Sequence, residues 1–172
     1  MLAEHMTNAI RILGLDPGLR RTGWGVIVIE GAKLGHIAHG VIAPKDTLAL
    51  SERLLLLFEG VADVVARYAP DEAAVEETFA TANGSSTLKL GHARAAAMIA
   101  PARAGLVVAE YAAKVVKKAL VGTGGADKTQ VAFMVARLLP TAGPASADAA
   151  DALAVAIAHA HARRARTLGA AA

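Results

Sequence analysis

The chain has 172 residues, 55% of them hydrophobic and only 3% aromatic, and carries a formal net charge of +3. The absence of cysteine excludes disulfides and thiolate metal sites. No apolar run reaches the length of a bilayer span, so the expectation is a cytoplasmic protein without membrane contact whose positive charge leans mildly towards polyanions.

Residues 1–5 precede a second methionine, Met6, and are read as a remnant of expression. Residues 6–164 are expected to form one α/β domain, and residues 165–172 a basic, Ala-rich tail. Residues 9–16 open the domain as an apolar strand, interrupted by Arg11 and ending on the carboxylate of Asp16. Pro17-Gly18 turns the chain, and residues 22–29 return antiparallel. Gly23 and Gly25 alternate with larger residues there, leaving one face nearly bare for another backbone or for phosphates. Residues 33–43, with Ile37, Val41 and Ile42, complete an antiparallel meander.

After a connector, residues 48–68 place Leu50, Leu54, Leu57, Val61, Val64 and Val65 at helical spacing, with Ser51 in the first turn and Pro70 as the stop. Residues 73–77 read as a short buried strand ending on Glu76 and Glu77. Phe79 and a polar loop follow, then a helix from about Thr87 that carries Lys89, His92 and Arg94 and that Pro101 is expected to kink or end. Residues 106–110 form the next strand. Tyr111 opens a segment with Lys114, Lys117 and Lys118. Asp127 caps a helix over residues 128–139, Pro140 ends it, and a last helix spans residues 146–164.

Four acids stand at the ends of these elements. Each has an ordinary explanation: Asp16 as a turn opener, Glu76 as a solvated strand end, Asp148 and Asp151 as helix N-terminal acids favoured by the dipole. Together they point elsewhere. Asp148 and Asp151 lie three residues apart beside the apolar stripe of Leu153, Val155 and Ile157, and buried charge is costly unless paired or metal-bound. None of the four has an obvious local cationic partner. An all-oxygen set of this kind suits Mg²⁺ or Mn²⁺, and two such ions about 4 Å apart can activate water and stabilise the leaving oxygen of a phosphodiester.

The chain resembles the RuvC family of Holliday-junction resolvases, which has the ribonuclease H-like fold, a mixed five-stranded sheet flanked by helices. The likeness rests on Gly14-Leu15-Asp16-Pro17-Gly18, Val75-Glu76-Glu77-Thr78-Phe79, Ala82-Asn83, Leu88-Lys89-Leu90-Gly91, Ala93-Arg94, Glu110-Tyr111-Ala112-Ala113, Val121-Gly122, Lys128-Thr129-Gln130-Val131 and residues 147–154, in the family's order. The resemblance implies a homodimeric, Mg²⁺-dependent endonuclease, with two ions per site and Mn²⁺ as a substitute. It would cut opposed strands of a four-way DNA junction symmetrically and work beside the RuvA–RuvB branch-migration complex. By position, Asp16, Glu76, Asp148 and Asp151 match the family's catalytic, metal-binding acids. Lys117 and Lys128 match its supporting basic residues, and Phe79 an aromatic that stacks on bases. Lys89 and Arg94 join them as candidate DNA contacts, with Arg20 and Arg21 as further phosphate candidates. His92, His159 and His161 are expected on the surface or in helix packing. Ala95, Pro101 and Asp148 depart from the family pattern, the last because some relatives carry His there.

Two other activities share the pattern. Sugar kinases and actin-like ATPases also open on a strand, an Asp-x-Gly and a Gly-spaced return strand, but need a second domain for which 172 residues leave no room. A ribonuclease H-like nuclease acting on RNA or other branched DNA is the nearer alternative. A non-enzymatic junction binder would have little use for four converging acids facing DNA.

Overall fold

The computed structural model describes residues 9–77 and 83–169. The opening apolar run is β1 (Ile10–Asp16), paired antiparallel with β2 (Thr22–Glu30), which pairs with β3 (Lys33–Ile42). The chain then forms α1 (Leu50–Tyr68), β4 (Glu72–Glu77), α2 (Gly84–Arg103) and β5 (Val108–Ala112). Three helices end it: α3 (Ala113–Val121), α4 (Lys128–Leu138) and α5 (Ala147–Gly169). The five strands lie in the order β3-β2-β1-β4-β5, with β4 parallel to β1 and β5 parallel to β4.

Strand alternation divides the core in two. Leu13, Leu15, Val26, Ala73 and Val75 face the α1–α2 side, where Val61, Val64 and Ala97 meet them. Ile12, Ile27, Ile29 and Ala74 face the other way, against α5, which α3 and α4 cover in turn.

The helix α5 sits unusually close to the sheet. A Cβ on Gly14 would fall 2.1 Å from the Ala152 carbonyl oxygen, and one on Gly23 would fall 1.9 Å from that of Asp148. The bare face of β2 therefore receives a backbone, that of α5, and only glycine permits the approach. The residues from Ala152 to Ala160 are buried without interruption, because the sheet takes one side of the helix and α3 and α4 the other.

Several boundaries differ from the expected ones, each for a local reason. The helix α2 starts at Gly84 because the Asn83 side chain accepts hydrogen bonds from the amides of Ser85 and Ser86, at 3.0 and 3.3 Å. It also runs through Pro101 to Arg103, where the missing amide costs one hydrogen bond in the last turn. The strand β5 begins two residues later than read, since the Leu106 amide is engaged by the Pro101 carbonyl at 3.1 Å. The last helix continues past Arg164 to Gly169, so residues 165–169 are helical rather than part of a tail.

Candidate active site

The site forms where parallel strands end. Leu15 stands opposite Val75, so the next residues, Asp16 and Glu76, leave the sheet side by side. Alternation puts both on the face that α5 covers. The tight loop after Asp16 is held by Thr22, which is fully buried: its hydroxyl donates to the Gly18 carbonyl at 2.9 Å and accepts from the Gly18 amide at 3.3 Å. The first turns of α5 bring Asp151. Asp16, Glu76 and Asp151 line one cavity of about 280 Å³ together with Lys117 from α3 and Lys128 from α4, over an apolar floor of Val116, Val131 and Ala154.

Burial governs the electrostatics, and like charge adds to it. Burial, reinforced by Glu76, Asp151 and Asp148, pushes the Asp16 carboxyl up to about 7, with Lys128 opposing. Burial and Asp151 also raise Glu76, against Lys128 and Lys117. Two of the acids find cations that are remote in sequence, in keeping with the lack of a local partner. Lys128 Nζ reaches Asp151 Oδ2 at 3.5 Å, and Arg21 Nε donates to Asp148 Oδ2 at 2.6 Å. Neither cation is near its acid in sequence: the partners lie 23 and 127 residues apart.

The remaining candidates scatter. Asp148 faces a neighbouring groove with Arg20, Arg21, Arg53 and Lys89 rather than the cavity of the other three acids. Arg94 is engaged within the fold, with its Nε on the Glu76 carbonyl at 3.3 Å and a terminal nitrogen on Glu110, so it clamps the end of β4. Lys114 and Lys118 are solvent-exposed. Phe79 lies outside the described residues.

One arrangement was not read from sequence. His159 is buried on α5, its Nε2 2.7 Å from Glu72 Oε2 and its Nδ1 2.8 Å from the Tyr111 hydroxyl, while Arg163 Nε donates to Glu72 Oε1 at 2.9 Å. The available signal was spacing: His159 and Arg163 stand four apart on one helical face, and Glu72 lies four residues, two full alternations, before Glu76 on the same sheet face. Burial raises the Glu72 carboxyl, but hydrogen bonds from Arg163 and His159 more than offset it and leave its pKa below the ordinary value.

The donor set is oxygen only, and the burial and like charge that weigh on Asp16 are what a dication relieves. Among the described residues, no three Asp, Glu or His side chains stand as a group that could hold a metal ion. The chemistry of the donors fits a hard cation, while Asp148 is held by Arg21.

A model of the family described as crossover junction endodeoxyribonuclease RuvC matches residues 12–159, a span containing all four acids. The chain belongs to the RuvC family. It is thus a nuclease, a Holliday-junction resolvase of DNA recombination and repair, and its sheet is the ribonuclease H-like fold. The RuvC endodeoxyribonuclease of Caulobacter vibrioides is 67% identical over 143 residues, which cover 83% of this chain and 85% of the relative. That of Maricaulis maris is 65% identical over 97% of this chain and 100% of its own. The solved Thermus thermophilus RuvC in complex with a Holliday junction substrate aligns with a TM-score of 0.85 at 34% identity, over 92% of this chain and 97% of that one.

Proposed function

We propose that Asp16, Glu76 and Asp151, joined by Asp148, form the hydrolytic centre with which this resolvase nicks two opposed strands of a four-way junction. The observation that carries the reading is the convergence of three acids from β1, β4 and α5 on one cavity, with the central carboxyl pushed up to about 7 by burial and by its acidic neighbours. Carboxylates crowded this way are costly to the fold and useful to a cation.

The four acids would hold Mg²⁺, as a pair of ions per site, with Mn²⁺ able to substitute. When bound, the metal supplies Lewis-acid polarisation of the phosphodiester and a hydroxide nucleophile near neutral pH. The protein's own part is placement. Asp16 is fixed by the Thr22-closed loop, Glu76 by the Arg94 clamp on its carbonyl, and Asp151 by the close seating of α5 on Gly14 and Gly23. Lys117 and Lys128 line the same cavity and neutralise phosphate charge at the strand being cut.

Paired symmetric nicks need two such centres, so a homodimer is the working form. Leu55 and Ile99, exposed to 54% and 55% on α1 and α2, give those helices apolar outer surface on the side away from the acids. A cytoplasmic location and action beside RuvA–RuvB complete the proposal. The test is cleavage of a synthetic four-way junction in Mg²⁺, with both nicks mapped, against plain duplex and structured RNA. Asp16→Asn and Glu76→Gln are expected to abolish cleavage while junction binding in EDTA persists, since affinity comes mostly from basic contacts. Near wild-type cutting by Asp16→Asn overturns the assignment, and preference for RNA overturns the substrate.

A further inference from the structure

Beside the acid cavity lies an open groove of about 570 Å³, bounded by Arg20, Arg21, Arg53, Lys89 and Asp148. Four cations and one acid line it, and Asp46 pairs with Arg20 at 3.6 Å and with Arg53 at 3.0 Å. Arg53 is the fixed member: its side chain is 12% exposed, and Nη2 donates to the Leu19 carbonyl and to Asp46, each at 3.0 Å. Its Nε is buried without a hydrogen-bond partner among the described residues. Arg21 is the movable member, 52% exposed and bound to Asp148 by a single contact of 2.6 Å from Nε. Asp148 belongs to both places, since it faces this groove and its charge also acts on Asp16.

We propose that the groove takes a backbone phosphate of the junction strand, and that Arg21 exchanges Asp148 for that phosphate when DNA binds. Without DNA, Arg21 neutralises Asp148 and keeps it from the cation site. With a phosphate seated among Arg20, Arg21, Arg53 and Lys89, the guanidinium has a better acceptor, one that its planar fork can meet with two parallel hydrogen bonds. The Asp148 carboxylate is then free to complete the acid set. The exchange is facile because an exposed ion pair is only weakly favourable. Linkage makes the effect reciprocal: DNA strengthens cation binding, and the cation strengthens DNA binding by the same factor. This inference rests on the hydrolytic-centre reading above.

The experiment needs no cleavage. Mn²⁺ is titrated calorimetrically into the full chain without DNA, and junction binding is measured by fluorescence anisotropy in EDTA over a range of salt. Arg21→Gln is expected to bind Mn²⁺ about two- to fivefold more tightly than the parent, the size of an exposed ion pair. In EDTA it is expected to bind the junction more weakly, with the slope of log affinity against log salt reduced by about one. Asp148→Asn is expected to tighten junction binding in EDTA when Arg21 is present and much less in the Arg21→Gln background. Arg21→Lys, which keeps the charge but not the planar fork, should restore the Mn²⁺ affinity and the salt slope and only part of the junction affinity. Additive Arg21 and Asp148 effects, or unchanged Mn²⁺ affinity in Arg21→Gln, overturn the exchange. Asp16→Asn separates the two readings. If it loses Mn²⁺ binding while Arg21→Gln changes nothing, only the exchange fails; if it keeps parental Mn²⁺ affinity, the hydrolytic-centre reading and the exchange fall together.

Discussion

Replacing Asp16 by Asn removes a charge that the fold holds at a cost, so the variant should be more stable than the parent without metal. Moving a carboxyl from 3.8 to about 7 corresponds to roughly 4 kcal/mol of lost stability once both folded and unfolded forms are ionised, at about 1.4 kcal/mol per tenfold in proton affinity. That is an upper bound, because the acids titrate together and the buried amide must find its own partners. A gain of about 1–3 kcal/mol at pH 8 is the working expectation. The sign follows from proton counts. The folded state holds the Asp16 proton through the window from 3.8 to about 7 while the unfolded chain has released it, so parental stability falls as pH rises across that window. The advantage of the variant should therefore be full at pH 8 and absent near pH 4. Urea unfolding in EDTA at both pH values measures it. Added Mg²⁺ should stabilise the parent by mass action and the variant far less. A variant less stable than the parent at pH 8, or a difference independent of pH, refutes the crowded-carboxylate account.

Three further outcomes are expected. Gly14→Ala drives a Cβ to 2.1 Å from the Ala152 carbonyl and must displace α5, costing at least the ~1–3 kcal/mol of an overpacked core and most of the cleavage rate; urea midpoint and junction cutting read both. Glu72→Gln breaks the anchor that His159 and Arg163 share and should cost about 1–2 kcal/mol at pH 7. Because the Glu72 pKa is lowered from 4.5, its contribution is present above that value and fades as pH falls below it, so the variant and parent should converge in acid. Lys128→Ala, at an 82% exposed side chain, should leave the unfolding midpoint near the parent's while weakening junction binding and lowering its salt slope by about one.

Periodicity and punctuation determined most of the architecture. The strand ending on Asp16, the Asp127 cap with its Gln130 counterpart and the long α1 are local decisions, made by alternation, helical spacing and caps that act within a few residues. The gathering of Asp16, Glu76 and Asp151 was legible too, because carboxylates at the ends of apolar elements conflict with burial, and that conflict is written in the chain; the placing of Asp148 in the next groove was not. Tertiary structure decided what no local pattern encodes. That the bare face of β2 receives α5 rather than a phosphate depends on which helix crosses the sheet. The partners of Asp148 and Asp151 come from Arg21 and Lys128, remote in sequence, and Arg94 is drawn to Glu110 and the Glu76 carbonyl. Buried His159 acquires its role only when β4, β5 and α5 are packed together. Distance in space, which sets every Coulombic and hydrogen-bond energy at this site, is fixed by packing rather than by spacing along the chain.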